Sequence, residues 1–414
     1  MTYIVLSLLF FSLGLLREKG LWAFLALLSC LPLSNSFSLY FYQYGLFSFD
    51  FYFFGALISI AIKSIASNGS TMKVPKWATL SFLIIIAYSV ISVFSSTPLD
   101  VYFLRDYRPA IFSLELIAAT LILKSRNIKL SNDKIIKIAI LAGATNLIWL
   151  TLSIVGVISS DDQYYTNNNF KYFDASTYIS TLFTIYFFSR QGTAKNTKNK
   201  IHLNPAQALA ITVSLLSVVL SGYRILALAT IIAAALAAAK SPKRLVQILI
   251  VFAAATLTFI FLAQYFGAAR VTEGLTVDGL LQQFAIRYGP ALDVISSFKS
   301  YNYFFGSGFG TVFDISWFEY RELDTKNNFV DSSYMTFFAK YGLLGMLYLA
   351  SVSISLVSLV PKPIRLSLLA YLLIIFFTYA ISYQSASFGI IVGCMMVRIL
   401  QSNSDNAAKK SLGD

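Results

Sequence analysis

The chain has 414 residues, of which 57% are hydrophobic, 16% aromatic and only 12% charged. A soluble domain carries about 25% charged residues, so this composition excludes a soluble protein and predicts a chain that crosses a membrane several times. The net charge of +13 would suit a nucleic-acid-binding protein, but the basic residues are scattered between apolar runs, which excludes that class.

Residue types that bind metals or form disulfides are scarce. Cys30 and Cys394 lie in apolar stretches, and His202, the one histidine, lies in a lysine-rich loop. Neither a GxGxxG motif nor a P-loop is present, so nucleotide binding is not indicated. We therefore expect no disulfide, no metal and no cofactor.

Long apolar runs follow one another along the whole chain. A helix needs about 20 mostly apolar residues to cross the hydrocarbon core, which predicts about thirteen spans, in a range of about 12–14. The predicted spans lie near residues 2–16, 21–40, 50–66, 78–95, 109–123, 135–158, 175–189, 206–221, 224–239, 245–265, 333–360, 366–382 and 385–400.

The basic residues predict the orientation of these spans, because cytoplasmic loops retain Lys and Arg. Roughly two thirds of the 32 basic residues lie in alternate loops, counted from the loop that holds Arg17. The acids on that side are Glu18, Asp133, Asp405 and Asp414. These basic loops are therefore predicted to be cytoplasmic.

The long connections then lie on the other side of the membrane, at 96–108, 159–174 and 266–332. The last one is too long for a simple connector, so we expect a large periplasmic loop inserted into a single transmembrane domain over residues 1–414. Residues 278–298 have apolar positions at helical spacing and predict an interfacial or externally packed helix, broken near Gly289-Pro290.

Arginine on the non-cytoplasmic side runs against the usual charge bias. The residues concerned are Arg105, Arg108, Arg224, Arg270, Arg287 and Arg321. A guanidinium is a planar, permanently charged fork that suits phosphate oxygens, so a converging set would bind a lipid-linked diphosphate. The alternative is a snorkelling or solvated side chain, which fits the polar surroundings of Arg270 and Arg321 better than those of Arg224 and Arg287.

Two more features follow in the same loop. Gly306, Gly308 and Gly310 form a glycine cluster, for which a tight turn is one explanation. Asp331 stands at the mouth of a predicted span, where its carboxylate could act as a general base or could cap the helix.

These features resemble, in their order, the O-antigen polymerase and ligase superfamily of bacterial membrane proteins. The matching pieces are Leu104-Arg105-Asp-Tyr-Arg108-Pro109, Ser221-Gly222-Tyr223-Arg224, Arg287, Phe305-Gly306-Ser-Gly308-Phe-Gly310-Thr, and Asp331-Ser-Ser-Tyr before a span with Gly342 and Gly345. Ligases of this superfamily typically have a His-Asn pair where this chain has Val330-Asp331-Ser332, so the resemblance favours the Wzy-type polymerase branch.

The resemblance implies an all-α, polytopic, GT-C-like protein of the bacterial inner membrane, with its active site facing the periplasm. It would polymerise undecaprenyl-diphosphate-linked oligosaccharides without a metal, in contact with membrane lipid and with a chain-length regulator as a candidate partner. Arg287, Arg224 and Asp331 would be the catalytic residues. Substrate-binding roles would fall to Arg105, Arg108, Arg270, Arg321 and Tyr223.

Three other classes compete with this interpretation. A ligase would transfer the glycan to the lipid A core, and a flippase would carry the same lipid-linked unit across the membrane. Carriers usually have internal repeats and charged residues in their spans; no convincing repeat is present, and the clearest internal charges are Glu115 and Lys340. A scaffold or chain-length regulator would have few spans.

Overall fold

The computed structural model describes most of the chain. The described residues are 2–31, 45–66, 74–94, 100–124, 128, 130–154, 174–193, 205–221, 223–239, 277–315 and 325–411, together with isolated helical positions between 245 and 261.

Helices dominate the described residues. In chain order they are α1 (Thr2–Leu15), α2 (Leu21–Cys30), α3 (Asp50–Ala66), α4 (Lys76–Phe94), α5 (Val101–Arg105), α6 (Arg108–Lys124), α7 (Asn132–Ile154), α8 (Ala175–Thr193), α9 (Pro205–Leu220), α10 (Arg224–Ala238), α11 (Val277–Ser296), α12 (Asn302–Phe305), α13 (Ser333–Leu359), α14 (Arg365–Ile375) and α15 (Phe388–Ser411). Two short strands, β1 (Phe313–Asp314) and β2 (Lys326–Asn327), pair antiparallel.

The predicted all-α class is confirmed for the described residues. Three helices, α4, α7 and α13, are long and apolar enough to cross a membrane, over Lys76–Val93, Asn132–Leu152 and Ser333–Leu359. Shorter apolar helices accompany them, α1, α2, α9, α10 and the first part of α15 among them. The total of about thirteen spans stays a prediction.

Some predicted boundaries are wrong. The helix predicted over 366–382 ends at Ile375, and carbonyl groups of the following turn accept hydrogen bonds from side chains of other elements instead. Within 21–40, α2 ends at Cys30, and residues 32–44 lie outside the described part. The break predicted at Gly289-Pro290 is absent, since α11 continues through Pro290. Proline costs one backbone hydrogen bond there, but its fixed φ is compatible with a helix.

The core lies around α8 and α15. Residues 174–189, which are Asp174 and most of α8, are almost all buried, as are residues 386–397, which include the first part of α15. Helix α8 is buried because it packs against α7, α9, α10 and α15. Some of its hydroxyls bond within the helix, as where Thr181 Oγ1 donates to the Thr177 carbonyl at 3.0 Å. Others bond to a neighbouring helix, as where Thr177 Oγ1 donates to Asn146 Oδ1 of α7 at 2.9 Å.

Helix α13 is broken at Gly342, which has φ +57° and ψ −142°. The break frees backbone carbonyl groups, and the glycine loop (residues 306–310) supplies donors to them. The N–H of Ser307 donates to the carbonyl of Ala339 at 2.9 Å, and the next N–H of the loop donates to the next carbonyl of the helix at 2.8 Å. The glycine cluster therefore serves as backbone donors for a broken helix.

Close backbone approach explains the glycines at this contact. A Cβ on Gly306, which has φ +65°, would overlap the backbone of Lys340. Gly342 also has a positive φ, and a side chain there would meet the backbone that leads into the glycine loop. Tyr88 of α4 completes the contact, since its hydroxyl donates to the carbonyl of Tyr341 at 3.2 Å.

Gly306→Ala should lower the free energy of unfolding in detergent by about 2 kcal/mol or more. The reason is that alanine is strained at a positive φ and that its methyl group would also clash with backbone. The matched control is Gly289→Ala in α11, where an added Cβ meets nothing within 4 Å. That variant should be unchanged or slightly more stable. Equal melting temperatures for the two variants would contradict the docking of the loop.

Candidate functional site

Backbone carbonyl groups of the turn after α14, residues 376–384, accept hydrogen bonds from side-chain hydroxyls of distant elements. Tyr223, which precedes α10, donates from Oη to the carbonyl of Thr378 at 2.5 Å. Tyr288 of α11 donates from Oη to the carbonyl of Phe377 at 2.5 Å. The start of α10 and the middle of α11 therefore meet at one turn.

The start of α13 is fixed to the same turn. Ser332 caps the helix, because its Oγ accepts the N–H of Met335 at 3.3 Å. Ser333 Oγ donates to the carbonyl of Tyr379 at 2.6 Å. The cap of this helix is thus Ser332, and the half-buried Asp331 directly before it keeps its carboxylate for another role.

These anchors bring five residues into one arginine cluster: Arg224, Arg287, Asp331, Tyr223 and Tyr288. The charge of Arg287 acts on Arg224 and on both tyrosines, and the charge of Asp331 acts on both tyrosines. The cluster thus joins the three predicted catalytic residues and Tyr223 from three separate parts of the chain.

The electrostatics of the cluster keep its tyrosines neutral. Burial raises the pKa of Tyr223, and the Asp331 carboxylate raises it further while Arg287 opposes the rise. Burial raises the pKa of Tyr288 in the same way. Both phenols are therefore hydrogen-bond donors at neutral pH.

The cluster holds two accessible positive charges close to each other. Arg224 is exposed and Arg287 is half-buried, so solvent or a ligand reaches both. Among the described residues, neither Arg287 nor Asp331 forms an ion pair. Two neighbouring guanidinium groups repel each other, and an anion between them would relieve that repulsion while accepting hydrogen bonds from both.

The structure places Arg108 elsewhere. Its guanidinium is 1% exposed and is bound by Asp50 through Nη1 at 2.6 Å and by Glu115 through Nη2 at 3.1 Å. The ring of Phe47 lies 4.6 Å from its Cζ. A phosphate would have to compete with a buried carboxylate for this guanidinium, although part of Arg108 lines a small crevice together with Arg105. The predicted substrate-binding role of Arg108 stays a prediction.

Arg105 stays accessible at the edge of a small crevice. Its guanidinium lies 5.4 Å from the centre of the Tyr102 ring. Phe329 and Tyr383 line the same crevice, so Arg105 is close to the segment that leads to Asp331. Arg270 and Arg321 lie outside the described residues, and their predicted roles stay predictions.

A second polar network, centred on Asp106, was not predicted as part of the site. Lys340 Nζ donates to Asp106 Oδ1 at 2.5 Å and to the carbonyl of Asn328 at 2.7 Å. Tyr383 Oη donates to Asp106 Oδ1 at 3.1 Å, and the N–H of Gly310 donates to Oδ2 at 2.8 Å. Burial raises the pKa of Asp106, and the charge of Lys340 opposes that rise.

This network fixes the segment that carries Asp331. Asn328 lies three positions before Asp331 and is held by both Asp106 and Lys340. The sequence signal for it was present: Lys340 is a charge inside an apolar run, and Asp106 lies between two of the highlighted arginines. The pairing could not be predicted from the sequence, because the two partners lie 234 positions apart.

Lys340→Met should destabilise the protein in detergent by about 3–5 kcal/mol, because it leaves the buried Asp106 carboxylate without its counter-charge. The double variant Asp106→Asn/Lys340→Met should recover part of this loss, and a double-mutant cycle on melting temperatures measures the recovery. Lys299→Met, at an exposed position, is the control. Additive losses in the cycle would show that the two side chains do not interact.

Comparison with known proteins gives a family without an assigned role. No curated protein and no solved structure matches the chain. One family matches over residues 20–127 and 116–411 and is described as a family of unknown function, DUF6369. These two segments take in most of the chain, so the protein belongs to the DUF6369 family.

Proposed function

We propose that this protein is a glycosyltransferase that polymerises oligosaccharide repeat units carried on undecaprenyl diphosphate. The arginine cluster is the proposed donor site, and it is the observation that carries the proposal. Polymerisation of this kind needs a site that binds a diphosphate, stabilises its growing charge and orients an attacking hydroxyl.

The cluster supplies groups for each of these tasks. Arg224 and Arg287 would bind the donor diphosphate, with Arg105 as a candidate ligand of a second phosphate. As the bond between the anomeric carbon and the diphosphate oxygen breaks, the electron pair leaves with the diphosphate and the guanidinium groups stabilise its charge. The acceptor hydroxyl oxygen forms the new bond, and its proton passes to the Asp331 carboxylate.

The exposed apolar surface and the distribution of basic residues support a location in a membrane. Large apolar side chains are exposed on the three long apolar helices and their neighbours, among them Leu83 (54%), Ile62 (61%) and Leu366 (67%). Exposed apolar surface of this extent is typical of lipid contact. Together with the basic alternate loops, it leads us to propose a polytopic protein of the bacterial inner membrane whose arginine cluster faces the periplasm.

A diphosphate role for the cluster predicts a specific loss of binding. Arg287→Ala should weaken the binding of undecaprenyl diphosphate to the purified full-length protein by about 10- to 100-fold, because a charge-assisted pair of hydrogen bonds is lost. Arg287→Lys should bind with intermediate affinity, since it keeps the charge but loses the fork.

Lys299→Ala is the matched control, because Lys299 is an exposed cation near the end of α11. Its affinity should equal that of the unaltered protein. Unchanged affinity in Arg287→Ala, or an equal loss in Lys299→Ala, would remove the cluster as the diphosphate site.

The catalytic role of Asp331 predicts a loss of rate without a loss of donor binding. Asp331→Asn should reduce polymerisation of defined undecaprenyl-diphosphate repeat units about 100-fold or more, as expected when a general base is removed. Affinity for undecaprenyl diphosphate should stay the same. The measurement is the glycan ladder that the purified protein forms on a gel.

The same assay separates the competing functions. Binding of the lipid-linked unit without any elongation would favour a flippase, and transfer to a lipid A core acceptor without elongation would favour a ligase. Full ladders from Asp331→Asn would remove Asp331 as the base while leaving the polymerase function intact.

A further inference from the structure

Three ionisable side chains whose charges do not cancel meet in the interior between α3 and α6. Arg108 is 1% exposed, and Asp50 and Glu115 are fully buried. One guanidinium against two carboxylates leaves a net negative charge if all three ionise. Such a charge is strongly disfavoured in a buried site.

The surroundings do not neutralise this charge. Among the described residues, the titratable side chains that act on the triad are Tyr3 and Tyr348, both phenols that are neutral at ordinary pH. The Asp106–Lys340 pair is balanced within itself. Charge balance in the triad therefore calls for one bound cation.

The hydrogen bonds distinguish the two carboxyl groups. Asp50 Oδ2 accepts from Arg108 Nη1 at 2.6 Å and from the N–H of Phe47 at 2.8 Å. Glu115 Oε1 accepts one longer bond, from Arg108 Nη2 at 3.1 Å. Short, multiply donated bonds are typical of an ionised acceptor, so Asp50 is the carboxylate of the pair.

The second oxygen of each carboxyl group indicates where the balancing cation lies. Within the described segments no donor reaches Asp50 Oδ1 or Glu115 Oε2, and both atoms are buried. The two carboxyl groups are nevertheless neighbours, because both are bound to the one guanidinium of Arg108. Two oxygen acceptors can bond to each other only when a proton lies between them.

We propose that the triad is a proton-binding site, in which Glu115 carries a proton on Oε2 and donates it to Oδ1 of Asp50. This one proton satisfies both unpartnered oxygens and leaves the triad with no net charge. The inference does not depend on the proposed glycan chemistry. It predicts that amide substitution of the two acids affects stability differently.

The test uses the full-length protein in detergent and compares Glu115→Gln with Asp50→Asn. A glutamine amide copies a protonated glutamic acid, because its oxygen accepts from Arg108 and its NH₂ donates to Asp50. Glu115→Gln should therefore melt within about 2 °C of the unaltered protein. Asp50→Asn replaces the ionised acceptor of Arg108 Nη1 and of the Phe47 N–H with a neutral amide, and it should melt lower by about 5 °C or more.

Infrared spectroscopy at neutral pH locates the proton directly. A protonated carboxyl group has a C=O stretching band that carboxylates lack. This band should be present in the unaltered protein and lost in Glu115→Gln, while Asp293→Asn, at an exposed position, should keep it. The infrared result and the Glu115→Gln melting temperature decide the matter even if Asp50→Asn does not fold.

The opposite outcomes would overturn the assignment. Loss of the band in Asp50→Asn together with its retention in Glu115→Gln would place the proton on Asp50. Absence of any protonated carboxyl band, or strong destabilisation by Glu115→Gln, would mean that both acids are ionised and that another cation balances them.

Discussion

Burial of charge in an apolar interior is the constraint on which the rest of the structure depends. With so few charged residues, each one inside the protein has to be compensated by a partner on another element, because an unpaired buried charge is more costly than any single packing contact. Asp106 illustrates the result. Its pairing with Lys340 and its bonds to Tyr383 and Gly310 connect four separate parts of the chain at one carboxylate. These contacts hold the loops in a single arrangement.

The same constraint applies to the backbone. A helix broken at Gly342 exposes carbonyl groups that neither apolar side chains nor lipid can satisfy. The glycine loop approaches closely enough to donate to them, and the turn at 376–384 offers its own carbonyls to the hydroxyls of Tyr223 and Tyr288. Irregular backbone therefore occurs where other elements supply partners, and these same contacts assemble the residues of the arginine cluster.

The two kinds of arginine differ in what they can do. Arg108 is enclosed by two carboxyl groups and is buried, whereas Arg224 and Arg287 lie at accessible positions next to a turn that is anchored by hydrogen bonds. A rigid frame with accessible positive charge is suited to an anionic substrate, because the binding groups need little rearrangement when the ligand arrives. This contrast is the physical basis for proposing an anion site at the cluster and a proton site at the triad.

The sequence by itself determined the helices and most of their limits, because apolar runs and the polar residues between them act locally. It also singled out Arg224, Arg287 and Asp331 as unusual in their surroundings. Sequence could not decide which arginine is buried against acids: Arg105 and Arg108 are three positions apart, yet of these two only Arg108 is bound by Asp50 and Glu115. That outcome depends on the packing of α3 against α6, and pairings between distant residues are fixed only when the helices come together.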